Sequence, residues 1–293
     1  MRAPLSASVL RSWLYVPGHR RDLVAKALAA GADAVVIDLE DAVPPEQKGL
    51  ARDTVSKMAG EPRPEGSAQL WVRVNPPGSA WAEADLRSAS GWAVDGLRLP
   101  HAEDPEVVRQ FADRVRLPVQ LLLETAAGLA RALDLAQAHA GVAGIGLGEA
   151  DLSADLRVLT SAGLDWARGW VVVAARAAGL PSPIQSVWTD VADIDGLRRT
   201  TEIGRDTGFV GRSVVHPRQV PVVHKVFQPP EDQLRAAQAV LQAADEARAR
   251  GEVALLDPDG RFVDPAVVER ARVVLALAAR STPRPATDPG ATA

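Results

Sequence analysis

Short apolar runs recur along most of the chain, and most of them are followed by a helical stretch. Eight runs have the length of buried strands: Ser12–Val16, Ala34–Leu39, Gln69–Val74, Gly96–Leu99, Val119–Leu123, Gly144–Leu147, Ile184–Val187 and Ser213–Val215. Many of them are apolar throughout instead of alternating, which is typical of parallel strands covered on both faces. The pattern therefore predicts eight parallel strands.

Between these runs, the sequence has helical patterns, for example over Arg21–Ala30, Gly128–Ala140, Asp165–Ala178 and Asp193–Thr207. Gly31 follows the first of them, at a position where a glycine commonly ends a helix. Eight strand–helix units in one chain favour a closed barrel over an open sheet. The predicted fold is therefore an α/β TIM (β/α)8 barrel with a C-terminal helical appendage.

The pattern changes after the eighth unit. Glu231–Arg250 is a long helical stretch, Gly251–Phe262 is a short connecting segment, and a second helix is predicted from Pro265 to about Ala279. We predict a barrel over residues 1–228 and a helical extension over 229–280. The tail, residues 281–293, is rich in Pro, Thr, Gly and Ala and is predicted to be disordered.

Composition narrows the class of protein. The chain of 293 residues is 47% hydrophobic and has a formal net charge of −4 without a dense Lys/Arg tract, so no nucleic-acid partner is expected. The absence of cysteine rules out thiol nucleophiles and thiolate metal sites. The N-terminus lacks the apolar core of a secretion signal, and no run approaches the ~18 residues that span a bilayer. We expect a cytoplasmic protein with no membrane partner.

Charged side chains stand where the predicted strands end. Asp38, Glu40 and Asp41 end or follow the second strand; Arg73, Glu124 and Asp151 end or follow the third, fifth and sixth. In a (β/α)8 barrel, polar groups at the C-terminal ends of strands build the active site. Carboxylates from different strands, with an arginine from another, suggest a hard cation that holds an anionic substrate.

Plainer explanations exist for the same residues. Glu124 and Asp151 could cap the helices beside them. Arg73 could form a structural ion pair with Asp38 or Asp41, and the two roles could coexist. The acidic cluster would repel itself unless a cation or an arginine neutralised it.

Six segments carry a resemblance to a known family. They are RSWLYVPG at 11–18, GADAVVIDLEDAV at 31–43, VRVN at 72–75, LLLETAAG at 121–128, EADLSADL at 149–156 and HPRQV at 216–220. In this order and spacing, from about residue 11 to 280, the chain resembles the citrate lyase beta subunit family. The wider family includes malyl-CoA, citramalyl-CoA and citryl-CoA lyases, with HpcH/HpaI-type aldolases as more distant relatives.

The resemblance implies roles for the residues at the strand ends. Glu124 and Asp151 are expected to hold Mg²⁺, with Mn²⁺ as an alternative, and Arg73 to contact the substrate acid. Glu124 is also expected to contact the substrate. We assign Asp38, Glu40 and Asp41 to supporting positions that hold Arg73 and the waters of the metal, with general-base catalysis by one of the cluster, Asp41 among them, as the alternative.

Four further residues carry expectations. Arg11 begins the first strand, so its position predicts the bottom of the barrel, whereas the resemblance places it in the substrate or CoA site. Val215 and His216 follow the eighth strand and are expected to line the pocket. Asp264 precedes Pro265 and is expected to cap the last helix. The resemblance also implies that Asp264 handles the proton of the acetyl carbon in a neighbouring subunit, which requires an oligomer such as a trimer or hexamer.

The reaction implied by the resemblance is reversible cleavage of a 3-hydroxyacyl-CoA into acetyl-CoA and a 2-oxo acid. Three alternatives remain open: an acyl-CoA thioesterase that uses the same metal site, a citrate lyase subunit whose substrate is an acyl-carrier-protein thioester, and a non-catalytic CoA-ester-binding protein. Departures from the family pattern, such as Gln185 and Trp188, leave the acyl group open among malyl, citramalyl and citryl.

Overall fold

The computed structural model describes residues 9–64, 66–250, 255–256 and 262–281. The chain divides into two compact units, one from Leu10 to Val223 and one formed mainly by the chain from His224 onward. The predicted disordered tail lies, from residue 282 on, outside the described residues, as does most of the predicted connecting segment after Arg250.

The first unit contains eight parallel strands in the order β6-β5-β4-β3-β2-β1-β8-β7. They are β1 (Ser12–Pro17), β2 (Ala34–Asp38), β3 (Gln69–Arg73), β4 (Gly96–Leu99), β5 (Val119–Leu123), β6 (Val142–Leu147), β7 (Ile184–Gln185) and β8 (Gly211–Val214). Strands β1 and β8 pair with each other, so the first and the last barrel strands along the chain are neighbours in the sheet. In the described part of the chain no strand pairing joins β6 to β7. There the Ser186 hydroxyl donates a hydrogen bond to the Leu147 carbonyl at 2.6 Å. The prediction of a TIM barrel is confirmed.

Helices connect the strands and cover the barrel. They are α1 (Arg21–Leu28), α2 (Lys48–Gly60), α3 (Ala82–Ala89), α4 (Pro105–Val115), α5 (Ala126–Ala130), α6 (Ala132–Ala136), α7 (Glu149–Asp155), α8 (Asp165–Ala177), α9 (Ile194–Asp206) and α10 (Val220–Phe227), the last of which spans the boundary between the units. Local chemistry starts several of them: the Asp104 side chain accepts from the Glu106 N–H at the start of α4, and Pro105 takes the first helical position.

One predicted helix is wrong. The segment Gly128–Ala140 was expected to form a single helix, but α5 and α6 are separate and α6 ends at Ala136. Arg131, between them, has φ −103° and ψ 17°, outside the helical region. Apolar residues keep their helical spacing across this break, so the pattern did not reveal it.

The interior of the barrel is built in layers. At the bottom, Trp13 and Trp71 pack with ring centroids 5.0 Å apart. Gly96 makes room for them, because a Cβ at this position would lie 2.3 Å from the Trp71 ring. Higher up, Asp38 pairs in register with Arg73, and Arg73 pairs with Arg98. Since residues in register point to the same side of a sheet, the three charged side chains meet inside the barrel.

The second unit is helical. Helix α11 (Glu231–Arg250) packs on α12 (Pro265–Ser281), and the short strands β9 (Leu255–Leu256) and β10 (Phe262–Val263) pair antiparallel. Its core gathers small and branched apolar side chains: Ala237, Val240, Val263 and Ala271, with Leu241, Val267, Val268, Val274 and Leu275 packed against them. Among the described helices, none is both long enough and apolar enough to cross a membrane.

Candidate metal and substrate site

A cavity of about 860 Å³ lies in the first unit at the C-terminal ends of the barrel strands. Tyr15, Asp38, Arg73, Arg98 and Glu124 are among the residues that line it. These residues come from five different strands or strand ends, so the barrel itself fixes their positions.

Arg73 is held in the cavity by three acids. Its Nε and Nη2 donate to the two carboxylate oxygens of Asp38 at 2.8 and 2.7 Å, a bidentate pair. Its Nη1 lies 2.6 Å from Glu40 Oε2 and 3.3 Å from Asp41 Oδ2. Asp38 and Glu40 are buried, whereas the Asp41 side chain is 70% exposed. The guanidinium is therefore fixed in orientation by two buried acids and only loosely held by the third.

Asp38 also shapes the loop that carries the other two acids. Its carboxylate oxygens accept hydrogen bonds from the backbone N–H groups of Glu40 and Ala42 at 2.9 and 3.2 Å. The Lys48 ammonium group also holds this loop, since it donates hydrogen bonds to the backbone carbonyls of Leu39 and Glu40, each at 2.7 Å. Sequence reasoning missed this lysine, which stands at the start of α2 without any pattern that marks it as buried.

Glu124 lies in a second charged group with Glu40 and His101. One ligand atom from each of the three lies within 4.8 Å of the others. His101 Nε2 is 3.7 Å from Glu124 Oε2 and 3.9 Å from Glu40 Oε1. Carboxylate oxygens are the donors that Mg²⁺ prefers, and an imidazole is also accepted by Mn²⁺. The residues present therefore fit a divalent cation bound chiefly through oxygen.

Burial shifts the protonation of both glutamates. Burial raises the pKa of Glu40 to about 9; Arg73 opposes this shift, while Glu124, Asp41 and Asp38 add to it. Burial also raises the pKa of Glu124, against the effect of the His101 backbone N–H, which donates to Glu124 Oε2 at 2.8 Å. When ionised, these buried acids carry more negative charge than one arginine neutralises, which is the electrostatic condition that favours a bound cation.

Two backbone features give Glu124 its place. Gly148 lies so close to it that a Cβ at this position would be 2.3 Å from Glu124 Oε1. His101 has φ +47°, an uncommon value for a residue with a side chain, and in this conformation its N–H reaches the Glu124 carboxylate. Sequence reasoning missed His101. Its position two residues after β4, on the face that carries the other site residues, was the available signal.

Asp151 lines the same cavity but stands apart from the group of Glu40, His101 and Glu124. It lies in the first turn of α7, and its side chain is exposed. Its charge contributes to the raised pKa of Glu124, so the two carboxylates interact electrostatically. Both predicted metal ligands thus face one cavity, at different depths.

Arg11 is not brought to the site, contrary to what the resemblance implied. It lies at the N-terminal end of β1, where its Nε and Nη2 donate to the Asp33 carboxylate at 2.9 and 3.1 Å and its backbone N–H donates to Asp33 at 2.8 Å. Only 5% of Arg11 is exposed. Strand direction decides this: the first residue of a parallel barrel strand lies at the bottom of the barrel, and we correct the substrate-binding assignment accordingly.

Val215 and His216 differ in placement. Val215 lines the cavity and is 38% exposed. His216 is not among the described residues that line it; its Nδ1 accepts from the Arg218 N–H at 3.1 Å and caps the short 3₁₀ turn Pro217–Gln219. Gln219 completes this cap by accepting from the Val215 and His216 N–H groups. The structure therefore gives His216 a capping contact instead of the expected pocket position.

Asp264 caps the last helix, as its position before Pro265 predicted. Its Oδ1 accepts from the backbone N–H groups of Ala266 and Val267 at 2.8 and 2.9 Å. It belongs to the second unit. A role in a neighbouring subunit stays a prediction.

Comparison with known proteins agrees with the resemblance. The sequence profile of the HpcH/HpaI aldolase/citrate lyase family matches residues 11–217. A (3S)-malyl-CoA thioesterase of Cereibacter sphaeroides is 34% identical over 281 residues, covering 93% of this chain and 95% of that protein. The citrate lyase subunit beta of Leuconostoc mesenteroides subsp. cremoris is 32% identical over 283 residues, covering 92% and 93%.

A solved structure is similar over the same length. The CitE protein of Mycobacterium tuberculosis, crystallised with magnesium, acetoacetate and coenzyme A, has a TM-score of 0.74 and 31% sequence identity, covering 94% of this chain and 100% of that one. The profile covers the barrel, and the relatives and the solved structure match over more than nine tenths of this chain. The chain belongs to the HpcH/HpaI aldolase/citrate lyase family, a family of enzymes.

Proposed function

We propose that this chain is a Mg²⁺-dependent carbon–carbon lyase that cleaves a 3-hydroxyacyl-CoA of the citryl, malyl or citramalyl type into acetyl-CoA and a 2-oxo acid. The observation that carries the proposal is the position of Arg73. Its guanidinium is fixed by Asp38 and Glu40 and faces the cavity that Glu124 and Asp151 also line. The family membership supports this assignment.

Glu124 and Asp151 would hold the metal, with Glu40 and His101 beside it. When bound, Mg²⁺ supplies a Lewis acid that polarises an oxygen of the substrate acid. Mn²⁺ is an alternative cation, because the same oxygen donors accept it and an imidazole lies close by.

Arg73 would orient the acid and stabilise the charge that develops on its oxygen. The Asp38 pair occupies Nε and Nη2, and Glu40 contacts Nη1 at 2.6 Å, so the Nη1 position that faces Asp41 is the one open to substrate. The Asp41 contact to Nη1 is long and exposed, so an incoming carboxylate can displace it. Asp41 would then be free to act on a nearby proton, and its catalytic role remains part of the proposal.

In the cleavage direction, the proposed reaction breaks and forms the following bonds. The C3 hydroxyl passes its proton to a base, for which Asp41 is the proposed candidate; the C2–C3 bond breaks, and its electron pair passes to C2 as the enolate of the acetyl thioester. The former hydroxyl oxygen becomes the carbonyl of the 2-oxo acid. A proton added to C2 completes acetyl-CoA, and Asp264 of a neighbouring copy is the proposed donor.

This assignment requires an oligomer, for which a homotrimer or a hexamer is proposed. It also predicts a long thioester partner at the mouth of the cavity, either a CoA ester or an acyl-carrier-protein ester. The relative named citrate lyase subunit beta favours the carrier as a partner, so copurification of a small acidic carrier would support that alternative.

Hydrolysis of an acyl-CoA is the second candidate function. A relative 34% identical to this chain is named (3S)-malyl-CoA thioesterase, and the same site could direct water to the thioester carbonyl. Hydrolysis releases free CoA, whereas cleavage of the carbon–carbon bond releases acetyl-CoA. A non-catalytic CoA-ester-binding role is less well supported, because Arg73, Glu124 and Asp151 are all present around one cavity.

The test is release of acetyl-CoA or free CoA from malyl-CoA, citramalyl-CoA and citryl-CoA, with and without Mg²⁺. We expect acetyl-CoA from one of the three, loss of turnover with EDTA, and loss of turnover in the Glu124→Ala variant. The matched control is Glu83→Ala, which removes a surface glutamate paired with Arg114 and should retain activity. Release of free CoA alone would favour the thioesterase, and no turnover of any ester would contradict the lyase proposal.

A further inference from the structure

A buried arginine that the proposed mechanism does not use lies in the middle layer of the barrel. Arg98 is 2% exposed and comes from the third position of β4. Its guanidinium lies 5.1 Å from the centre of the Trp13 ring and 5.4 Å from that of the Tyr15 ring. It therefore stands between the tryptophan layer below and the Arg73 level above, at the closed end of the cavity that it helps to line.

Arg98 forms no ion pair among the described residues. In the described part of the chain, no carboxylate oxygen lies within 4.0 Å of its guanidinium nitrogens, whereas Arg11 pairs with Asp33 and Arg73 with three acids. Burying a charge without a counter-ion is costly, and burial lowers the pKa of Arg98 accordingly. A buried cation without a partner in a substrate cavity is a place where an anion would be stabilised.

The hydrogen bonds of the Arg98 guanidinium also indicate a position where an anion would bind. Nη1 donates to the Tyr15 hydroxyl at 2.7 Å and to the Ser213 hydroxyl at 3.2 Å. The Nε atom is buried and has no hydrogen-bond partner in the described structure. The Nε–Nη2 edge is the edge with which a guanidinium grips an oxyanion in bidentate fashion.

The two hydroxyls add to this edge. Each of them accepts from Arg98, so each still carries its own proton and can donate it. Burial raises the pKa of Tyr15, which keeps its hydroxyl protonated. A carboxylate bound at the Nε–Nη2 edge would have the guanidinium fork as its donor, with the two hydroxyls on the neighbouring Nη1 side and no competing acid within 4.0 Å of the guanidinium in the described structure.

We propose that Arg98, Tyr15 and Ser213 form a second anion-binding site. It binds a second carboxylate of the substrate acid, distinct from the carboxylate held near Arg73. The inference rests on the proposed function, and it narrows the acid product to a 2-oxo acid with two carboxylates. Arg98 is then a specificity-determining residue: it selects which acid fits beneath the metal site, while Arg73 and Glu124 serve every acid alike.

The test compares two acids that differ in the second carboxylate. Binding of oxaloacetate and of pyruvate to the full-length protein is measured by calorimetry at a saturating Mg²⁺ concentration, for wild type, Arg98→Met and Arg98→Lys. We expect wild type to bind oxaloacetate at least about tenfold more tightly than pyruvate. In Arg98→Met this preference should fall to about twofold or less with the affinities for pyruvate and Mg²⁺ unchanged, and Arg98→Lys should restore part of it.

Arg212→Met is the matched control. Arg212 is also buried, has no carboxylate within 4.0 Å in the described structure, and likewise donates from Nη1 to two hydroxyls, those of Thr200 and Thr201, at 2.8 and 3.0 Å. The difference is its side of the strand: Arg212 precedes Ser213 on β8, so its side chain leaves the strand on the opposite face and lines the part of the cavity next to α9, away from Arg98. Its loss should leave the preference for oxaloacetate unchanged.

Folding of each variant is followed by circular dichroism and by its Mg²⁺ affinity. If Arg98→Met does not fold, Ser213→Ala serves instead; it removes one hydroxyl donor and should weaken oxaloacetate severalfold without affecting pyruvate. Equal affinity of the wild type for the two acids, or a preference that survives loss of the Arg98 charge, overturns the inference while the proposed function stands. Failure of both acids to bind in a Mg²⁺-dependent way contradicts the proposed function itself.

Discussion

Arg73 illustrates how one side chain is specified by several neighbours. Its bidentate pair with Asp38 and its contact with Glu40 leave a single edge facing the cavity. A guanidinium can hold two acids and still present a donor to substrate, because its five N–H groups spread over a plane. An ammonium group carries the same charge but cannot reproduce that fork.

The Arg73→Lys variant should therefore lose activity while its charge is retained. We expect kcat/KM for the preferred thioester to fall at least about 100-fold, since donors aimed at a developing oxyanion contribute this much. Acetyl-CoA release under Mg²⁺ saturation measures it. Arg63→Lys, which alters a partly exposed arginine paired with Asp95, should behave as wild type. Nearly full activity in Arg73→Lys would show that the fork is dispensable.

The raised pKa of Glu40 has a consequence for stability without metal. Because the folded-state pKa is about 9 and the ordinary value is 4.5, the folded state favours the protonated carboxyl. Its stabilising contribution is complete below about pH 4.5, declines as pH rises, and is lost above about pH 9.

In EDTA, the Glu40→Gln variant should therefore gain stability relative to wild type between pH 5 and pH 9. The difference in free energy of unfolding should grow by roughly 1 kcal/mol per pH unit over this window. Urea denaturation at pH 5, 7 and 9 measures it. Glu46→Gln, at an exposed position just before α2, should follow wild type. Parallel curves for wild type and Glu40→Gln would refute the shift.

Among the secondary-structure elements, the turn from β6 into α7 shows how backbone sterics place a functional group. Gly148 precedes α7, and the Glu124 carboxylate occupies the space that a side chain at 148 would fill. The glycine is thus required by a neighbouring strand and not by its own conformation, since its φ is −97°.

The Gly148→Ala variant should displace Glu124 and weaken Mg²⁺ binding at least about tenfold, since ligand geometry governs affinity for this ion. Calorimetric titration with Mg²⁺ gives the affinity, and thermal unfolding monitors the fold. Gly169→Ala is the control: it lies within α8, a Cβ there meets nothing within 4 Å, and alanine should stabilise the helix by about 0.5–1 kcal/mol. Unchanged Mg²⁺ affinity in Gly148→Ala would contradict the contact.

Strands were more predictable than what lies between them. All eight predicted runs overlap observed strands, because buried parallel strands are marked by their apolar content alone. Sequence also indicated that charged residues at strand ends would share one face. It did not reveal Arg98, because a single charge in the run Gly96–Leu99 shows neither which side it faces nor what it opposes. Only the register of β3 with β4 gives that information.

The position of Arg11, by contrast, could be predicted from the sequence. Its place at the start of a strand predicted the bottom of the barrel, which is where its pair with Asp33 lies. The resemblance drew it toward the substrate instead. Strand direction was the stronger physical argument, because in a barrel it separates stabilising residues from catalytic ones.

At the scale of the whole molecule, the capping contact of Asp264 and its proposed catalytic role can be tested separately. Its carboxylate caps α12, and asparagine is an equally good cap that cannot exchange a proton at neutral pH. The Asp264→Asn variant should therefore unfold at the wild-type temperature and yet lose at least about 100-fold in kcat. Full activity in this variant would remove Asp264 from the mechanism.

Mixing variants tests whether the aspartate acts between copies. Glu124→Ala and Asp264→Asn should each be inactive alone. If every site combines Glu124 of one copy with Asp264 of the next, a randomly reassembled equal mixture should recover about a quarter of the wild-type activity per chain. Recovery requires subunit exchange, which a mixture of tagged and untagged wild type can confirm. No recovery despite exchange would place both residues in the same copy.

The paired indole rings of Trp13 and Trp71 bear on kinetics as well as on packing. They close the barrel axis below Arg98, so nothing passes through the barrel, and ligands enter and depart on the side where the strands end. A 2-oxo acid bound against Arg98 would lie deeper in the barrel than the CoA or carrier part of the thioester. The order of events is then set by depth: in the condensation direction the acid is first to arrive, and in cleavage it is last to leave.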